Sequence, residues 1–324
     1  MTDKELIDKL RDKRAAFNPW LTVADEWLEM LKEGTWKSQL FVHPDDESHV
    51  REYKDKLNKD FSKRGRSKDR PKKKDKQLIL DILPQPFIGN PCAPIWVLLR
   101  NPGYSAIDVY DLRSIDEGRQ EIRKSRELKL RDLMHSNNDD EQRSLRTRQE
   151  LVCRQLKFDF DLGKEFYILR HEFMTIRRSS DACKKKSRKV YGGYNWYKKY
   201  LLSDNGCIRR RDVDMDLLSI ASKRLFVMEY DPYHSKAYFK SGVSFAHHSM
   251  WENLVKHGIK QKIVIARGGD ILEHIVKSVP KEDLLKASNE RRLFLFKGQS
   301  AALSTNNLYW PCLEDDPANP LARK

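Results

Sequence analysis

Four short apolar runs, each bounded by turn-forming or charged residues, mark the central and later parts of the sequence. They lie at residues 94–99, 225–228, 263–266 and 293–296. Apolar runs of this length without alternation are typical of strands that are covered on both faces of a sheet. Helical spacing of apolar residues follows at 249–257 and 271–276. This alternation predicts an α/β fold whose central, mainly parallel sheet is flanked by helices.

The same patterns divide the chain into three parts. Residues 1–53 predict a helical amino-terminal appendage, because apolar positions recur at helical spacing in two segments between Asp3 and Trp36. Residues 54–76 are strongly basic and nearly free of apolar residues, which indicates a mobile arm that either contacts phosphates or is a solvated tether. Residues 77–324 form the α/β domain, with a charged helical insertion at about 111–158.

The composition indicates a globular chain in the cytoplasm. Of the 324 residues, 39% are hydrophobic, and no apolar run approaches the roughly 20 residues that a membrane span needs. The first residues lack the cationic and apolar regions of a secretory signal. Five cysteines are scattered without a Cys-x-x-Cys pair, so we expect neither a disulfide framework nor a metal site, and no cofactor.

The charge balance indicates a polyanionic partner. The formal net charge is +15, and neutralising phosphates releases counterions and raises affinity. A membrane surface or an acidic protein would satisfy the same charge. Nucleic acid is the commoner match for a basic protein that is rich in aromatic residues, so we expect DNA as the partner. The sequence itself implies no protein partner.

The loop after the first apolar run is the leading candidate for a functional site, because ligands of open α/β sheets bind beyond the carboxyl ends of the strands. It reads Asn101-Pro102-Gly103-Tyr104-Ser105. The glycine permits close approach of the backbone to a ligand. Asn101 offers both a hydrogen-bond donor and an acceptor. Taken alone, the loop is better explained as an ordinary turn.

Residues 88–105 resemble the first catalytic motif of the uracil-DNA glycosylase superfamily, in the branches whose water-positioning loop begins Asn-Pro-Gly. The matching letters are Ile-Gly-Asn-Pro at 88–91, Trp-Val-Leu-Leu at 96–99 and Asn-Pro-Gly-Tyr-Ser at 101–105. The resemblance implies that Asn101 orients the attacking water. It also implies a base pocket lined by Pro102, Gly103, Tyr104 and Ser105. It extends over roughly residues 77–310, with the charged insertion unmatched.

The loop after the last apolar run departs from the superfamily's second motif, which typically reads His-Pro-Ser-Pro-Leu-Ser. Leu-Ser at 303–304 fits the end of this motif, but Gln299 stands where histidine is usual. The resemblance implies that this loop stabilises the departing base and holds the DNA backbone, with Gln299, Ser304, Asn306 and Asn307 as candidate donors. A polar turn after the strand is the alternative.

Aromatic residues of the central region are candidates for stacking on an extruded base. Phe166 and Tyr167 lie in a segment that also resembles bacterial relatives of the superfamily, and such stacking is worth about 1 to 3 kcal/mol per base. Packing in the core is the alternative. Residues 191–199 interleave aromatic and basic side chains, including Lys198 and Lys199, as in a nucleic-acid groove.

A rival for the water-positioning role follows the second apolar run. Asp231-Pro232-Tyr233-His234 matches the water-activating motif of the best-known uracil excisers letter for letter. If it were the first motif, too little chain would remain before Gln299 for the base-reading strand. We therefore expect Asp231, Tyr233 and His234 to line the base pocket, with a capping turn as the alternative. Whether Asn101 or Asp231 positions the water stays open.

The loop after the third run opens a helix with Arg267 and Gly268. A helix amino terminus is suited to hold a phosphate, although Asp270 is equally placed to cap the helix. We expect this loop to contact the DNA backbone.

These features together predict a monofunctional DNA glycosylase that flips a base, hydrolyses its N-glycosidic bond and leaves an abasic site. Gln299, the insertion and the basic arm favour a bulky, hypermodified cytosine, such as glucosylated hydroxymethylcytosine in phage DNA, and a role in anti-phage defence. The alternatives are repair excision of uracil or a damaged base, and a non-catalytic nucleic-acid-binding protein on the same fold. A metal-dependent nuclease would need clustered carboxylates, and only Glu229 with Asp231 comes close.

Overall fold

The computed structural model describes slightly more than half of the chain. The described residues are 1–33, 35, 40–63, 76–80, 83–100, 150, 152–159, 224–235, 238–296 and 308–309. They form a sheet with flanking helices, so the predicted α/β class is confirmed. Within these ranges, no helix combines the length and the apolar character that crossing a bilayer requires.

The described strands form one mixed six-stranded sheet in the order β1-β3-β2-β4-β5-β6. They are β1 (Phe87–Gly89), β2 (Ile95–Leu99), β3 (Leu225–Glu229), β4 (Ile263–Ala266), β5 (Leu293–Phe296) and β6 (Leu308–Tyr309). Strands β3, β2, β4 and β5 pair in parallel. In register, Leu99 of β2 lies beside Glu229 of β3, and Leu98 lies beside Ala266 of β4.

The four parallel strands are the four apolar runs of the sequence. The sheet is nevertheless mixed, because β1 and β6 add antiparallel edges to it. These edge strands have only three and two residues, which is too short for the periodicity that distinguishes a strand in the sequence. Parallel pairing is therefore confined to the inner strands, where both faces are covered.

Besides a helical stretch at 152–156, six α-helices accompany the sheet in the described residues. They are α1 (Asp3–Arg11), α2 (Trp20–Glu33), α3 (Glu47–Lys63), α4 (His247–Gln261), α5 (Gly269–Ser278) and α6 (Lys281–Asn289). The first begins with a capping box between Thr2 and Glu5, which satisfies backbone amides that the helix leaves free. The helical patterns predicted before residue 36, at 249–257 and at 271–276 are confirmed by α1, α2, α4 and α5.

The amino-terminal helices share one hydrophobic core with the sheet. Trp20 of α2 is fully buried, and its Nε1 donates to His247 Nδ1 of α4 at 3.4 Å. Asn18 donates to the carbonyl of Leu156, in the helical stretch 152–156 that ends the predicted insertion. These contacts place α1 and α2 against the body of the domain.

The predicted basic arm is partly regular. Residues 54–63 form the second half of α3, since charged residues of this kind have good helix propensity. Residues 64–75 lie outside the described residues, as does most of the predicted insertion.

Candidate functional site

The order of the parallel strands defines a switch point at the carboxyl edge of the sheet. From β2 the chain passes to β3 on one side, and it then crosses to β4 on the other side of β2. In open α/β sheets the crevice that binds ligands lies where the strand order reverses in this way. Arg100 directly follows β2, and Arg267 directly follows β4. The switch point therefore lies between these two residues.

An ion pair spans the switch point. Arg100 Nε donates to Asp270 Oδ1 of α5 at 2.9 Å, and its guanidinium also lies 5.4 Å from the ring centroid of Tyr238. Gly268, between β4 and α5, has a φ of +90°, and a Cβ there would lie 2.6 Å from Arg100 Nη2. Glycine at this position therefore leaves room for the arginine beside the turn.

The loop after β3 is held by backbone hydrogen bonds on two sides. Tyr230 and Asp231 donate to the carbonyls of Leu99 and Arg100, at 2.9 and 2.7 Å, which extends the parallel ladder past the end of the strands. On the other side, Pro232 and His234 accept from amides of the segment before β1, at 3.0 and 2.9 Å. The backbone of 230–234 is therefore fixed at the candidate site.

Asp231 lies in this fixed loop with its carboxyl group buried. It is 5% exposed, and its Oδ1 lies 3.3 Å from His248 Nε2 of α4. Burial raises the pKa of Asp231, and the hydrogen bond and charge of His248 act in the opposite direction. Asp231, the rival candidate for positioning the water, is thus paired with a histidine that was not among the predicted site residues.

Tyr230 lies between two imidazole rings at the same edge. Its ring stacks on His248 with centroids 4.0 Å apart, and on His274 of α5 at 3.8 Å. The pKa of His274 is lowered to about 4, chiefly by burial. The stack joins α4 and α5 across the end of β3, so Tyr230 is used for packing on both faces of its ring.

Glu229, the last residue of β3, is the second buried carboxyl group of the site. It is 7% exposed, and its Oε2 has no hydrogen-bond partner among the described residues. Burial raises its pKa to about 8, while Arg267 lowers it and Asp231 raises it further. From the sequence, Glu229 was recognised only as a carboxylate near Asp231. Its burial could not be predicted, because burial depends on residues far away in the chain.

The remaining residues of the Asp231 loop lie away from solvent. Tyr233 is fully buried, its hydroxyl donates to Asp46 Oδ2 at 2.7 Å, and it accepts from the His43 amide at 3.1 Å. His234 is 6% exposed, and its carbonyl pairs with Ile79 in an isolated bridge. These surroundings give Tyr233 the contacts of a packing residue, and a base contact by either side chain stays a prediction.

Arg267 and Gly268 lie at the switch point, where the sequence analysis placed a phosphate contact. The amide of Arg267 donates to the Leu98 carbonyl at 3.0 Å. The other predicted site residues lie outside the described residues. They are Asn101, Pro102, Gly103, Tyr104, Ser105, Phe166, Tyr167, Lys198, Lys199, Gln299, Ser304, Asn306 and Asn307.

Away from the switch point, the part of the chain that the structure describes offers few features of a further site. There, no group of three or more His, Cys, Asp or Glu residues is arranged to hold a metal ion. A cavity of about 220 Å³ lies between α3 and residues 77–78, lined in part by Tyr53, Leu57 and Asn58. None of these lining residues was among the predicted site residues.

Comparison with known proteins gives no assignment. No family model matches the sequence, and neither a curated protein nor a solved structure shows significant similarity to the chain.

Proposed function

We propose that the chain is a monofunctional DNA glycosylase with a uracil-DNA-glycosylase-like sheet, acting on DNA in the cytoplasm. The observation that carries the proposal is the switch point between β2 and β4. Arg100 lies there, paired with Asp270, and the next three residues of the sequence are Asn101-Pro102-Gly103. The loop that resembles a water-positioning motif thus begins where an open α/β sheet binds its ligand.

The chemistry of N-glycosidic hydrolysis matches this kind of site. The bond between base and deoxyribose breaks with oxocarbenium character, so an enzyme needs a positioned water and stabilisation of the leaving base more than a strong nucleophile. Asn101 supplies an amide for the water, and the fixed loop at Asp231 brings a second polar group to the same edge. The flipped nucleotide would enter from the carboxyl edge, with basic side chains holding the duplex.

The proposed substrate is DNA that carries a bulky cytosine, such as glucosylated hydroxymethylcytosine in phage DNA, and the proposed role is anti-phage defence. Three sequence features support an unusual base: glutamine at position 299, the long charged insertion and the basic arm. A net charge of +15 supports a nucleic-acid partner.

Incubation with synthetic duplexes tests the proposal. Oligonucleotides containing uracil, unmodified bases or glucosylated hydroxymethylcytosine are treated with the protein, and alkali-labile abasic sites are scored by strand scission. We expect scission with the glucosylated substrate alone. Scission with uracil instead would indicate repair excision, and binding without scission on any substrate would indicate a non-catalytic DNA-binding protein.

A further inference from the structure

The surroundings of the Glu229 side chain disfavour its ionised form. Its carboxyl group is buried at the carboxyl end of β3, and its Oε2 has no hydrogen-bond partner in the described ranges. An ionised carboxylate with a buried oxygen that accepts no hydrogen bond is costly inside a protein, and such a group tends to take up a proton instead. With a pKa raised to about 8, Glu229 holds that proton at neutral pH.

The backbone of Glu229 is fixed on both sides, so the strand holds the carboxyl group in place at the carboxyl edge of the sheet. The amide of Glu229 donates to the Pro86 carbonyl at 2.8 Å, and its own carbonyl lies 3.0 Å from His247 Nε2. In the parallel ladder it lies beside Leu99, the last residue of β2. The acid therefore lies next to the strand that leads into the Asn101 loop.

The two carboxyl groups of the site have different surroundings. Asp231 is hydrogen-bonded by His248, whereas Glu229 is acted on by the charges of Arg267 and Asp231 without a hydrogen bond to its Oε2. Carboxyl groups in contrasting environments commonly take separate acid and base roles, and an apolar site keeps a carboxylic acid neutral so that it can donate. Gln299 offers only an amide, which donates a hydrogen bond but does not release a proton.

We propose that Glu229 is the general acid of the site, a neutral carboxylic acid that protonates the base as it leaves. The assignment rests on the proposed glycosylase function. As the C1′–N bond breaks, its electron pair moves to the base, and the base takes the proton from Glu229. Water adds its oxygen to C1′, and the proton that it loses returns through solvent to the Glu229 carboxylate. Base and abasic sugar are the products, and the enzyme is unchanged.

The rate of excision as a function of pH tests this assignment. Excision from a glucosylated-hydroxymethylcytosine oligonucleotide is measured between about pH 6 and about pH 10, where loss of the acid form produces an alkaline limb. We expect the wild-type rate to fall above about pH 8. Glu229→Gln should slow excision by about 10²- to 10⁴-fold, and its residual rate should lack that limb. Glu282→Gln, on the exposed surface of α6, is the matched control and should keep the wild-type profile.

An infrared measurement follows the proton directly. We expect a carboxylic-acid carbonyl band that titrates near pH 8 and is missing from Glu229→Gln. If Glu229→Gln does not unfold cooperatively in urea, the assignment is judged from the wild-type infrared band and the wild-type dependence of rate on pH.

A wild-type rate that stays level with pH, or an alkaline limb retained in Glu229→Gln, overturns the assignment and leaves the glycosylase function standing. A wild type that cuts no oligonucleotide overturns the proposed function and the assignment with it.

Discussion

At the scale of single residues, the buried carboxyl groups of Glu229 and Asp231 define the chemistry of the strand ends, together with His248, which pairs with Asp231. Glu229 and Asp231 are separated by Tyr230, yet only Asp231 is hydrogen-bonded by His248. Asn101, the residue on which the proposed function depends most, follows Arg100 at the switch point. Substitutions at these positions therefore separate the roles of water positioning, proton transfer and packing.

Substitution of Asn101 tests which loop positions the water. We expect Asn101→Ala to abolish excision, because the amide that orients the water is lost, while DNA affinity stays nearly unchanged. Single-turnover excision and fluorescence anisotropy with the same oligonucleotide measure the two properties. An Asn101→Ala protein as active as wild type would move the water-positioning role to Asp231.

His247 should make the protein sensitive to acid. Its pKa is lowered to about 3 by burial, and its ring bridges Trp20 and the Glu229 carbonyl. The unfolded chain takes up a proton near pH 6.5 that the folded chain takes up only near pH 3. Stability is therefore lost as pH falls through this window, by about 2 kcal/mol between about pH 7 and about pH 5.

Urea unfolding at these two pH values measures the loss. His247→Gln should be less stable than wild type at neutral pH, but its stability should change less on acidification. Equal acid losses in wild type and His247→Gln would contradict the prediction.

At the scale of elements, the inner strands and most helices were predictable because their signals are local. Runs such as Ile263–Ala266 are long enough to identify a buried strand in the sequence. The antiparallel edges were not predictable, since β1 and β6 are too short to leave a pattern. The ends of the strands correctly indicated where Asp231 lies. The histidine partner of that residue lies on α4, far away in the sequence, and the burial of Glu229 could not be inferred from local sequence either.

The packing of α4 on the sheet depends on a glycine. A Cβ at Gly258 would lie 2.6 Å from the fully buried ring of Trp96 on β2. Overpacking of this kind costs about 1–3 kcal/mol, more than the roughly 1 kcal/mol that alanine gains over glycine in a helix. We expect Gly258→Ala to lower the free energy of unfolding in urea.

Gly269→Ala is the matched control, because a Cβ there meets nothing within 4 Å. Its stability should be unchanged or slightly raised. If Gly258→Ala and Gly269→Ala unfold at the same urea concentration, α4 does not depend on close contact at Trp96.

At the scale of the whole molecule, the amino-terminal helices contribute to the same core as the candidate site. Trp20 packs edge-on against His43 and Tyr233, and its indole donates to His247 at the start of α4. Tyr233 in turn belongs to the loop that carries Asp231. Packing of α2 and the position of that loop are therefore linked through one buried aromatic cluster.

Trp20→Ala tests this link. Truncation of a buried tryptophan costs about 3–5 kcal/mol, and we expect that loss in urea unfolding together with slower excision. Leu40→Ala, at a side chain that is 50% exposed, should change neither property. A Trp20→Ala protein as stable as Leu40→Ala would show that the packing of α2 contributes little to the stability of the domain.

The backbone bonds that hold residues 230–234 have a consequence for the entropy of binding. The carbonyls of Leu99 and Arg100 accept hydrogen bonds from this loop, and amides of the segment before β1 donate to it. The conformational freedom of the loop is therefore lost on folding, before any ligand arrives. A ligand that contacts Asp231 then binds a preorganised surface, so little binding free energy is lost in ordering the loop. On this side of the crevice, the protein would therefore select ligands by how well their shape fits the fixed loop.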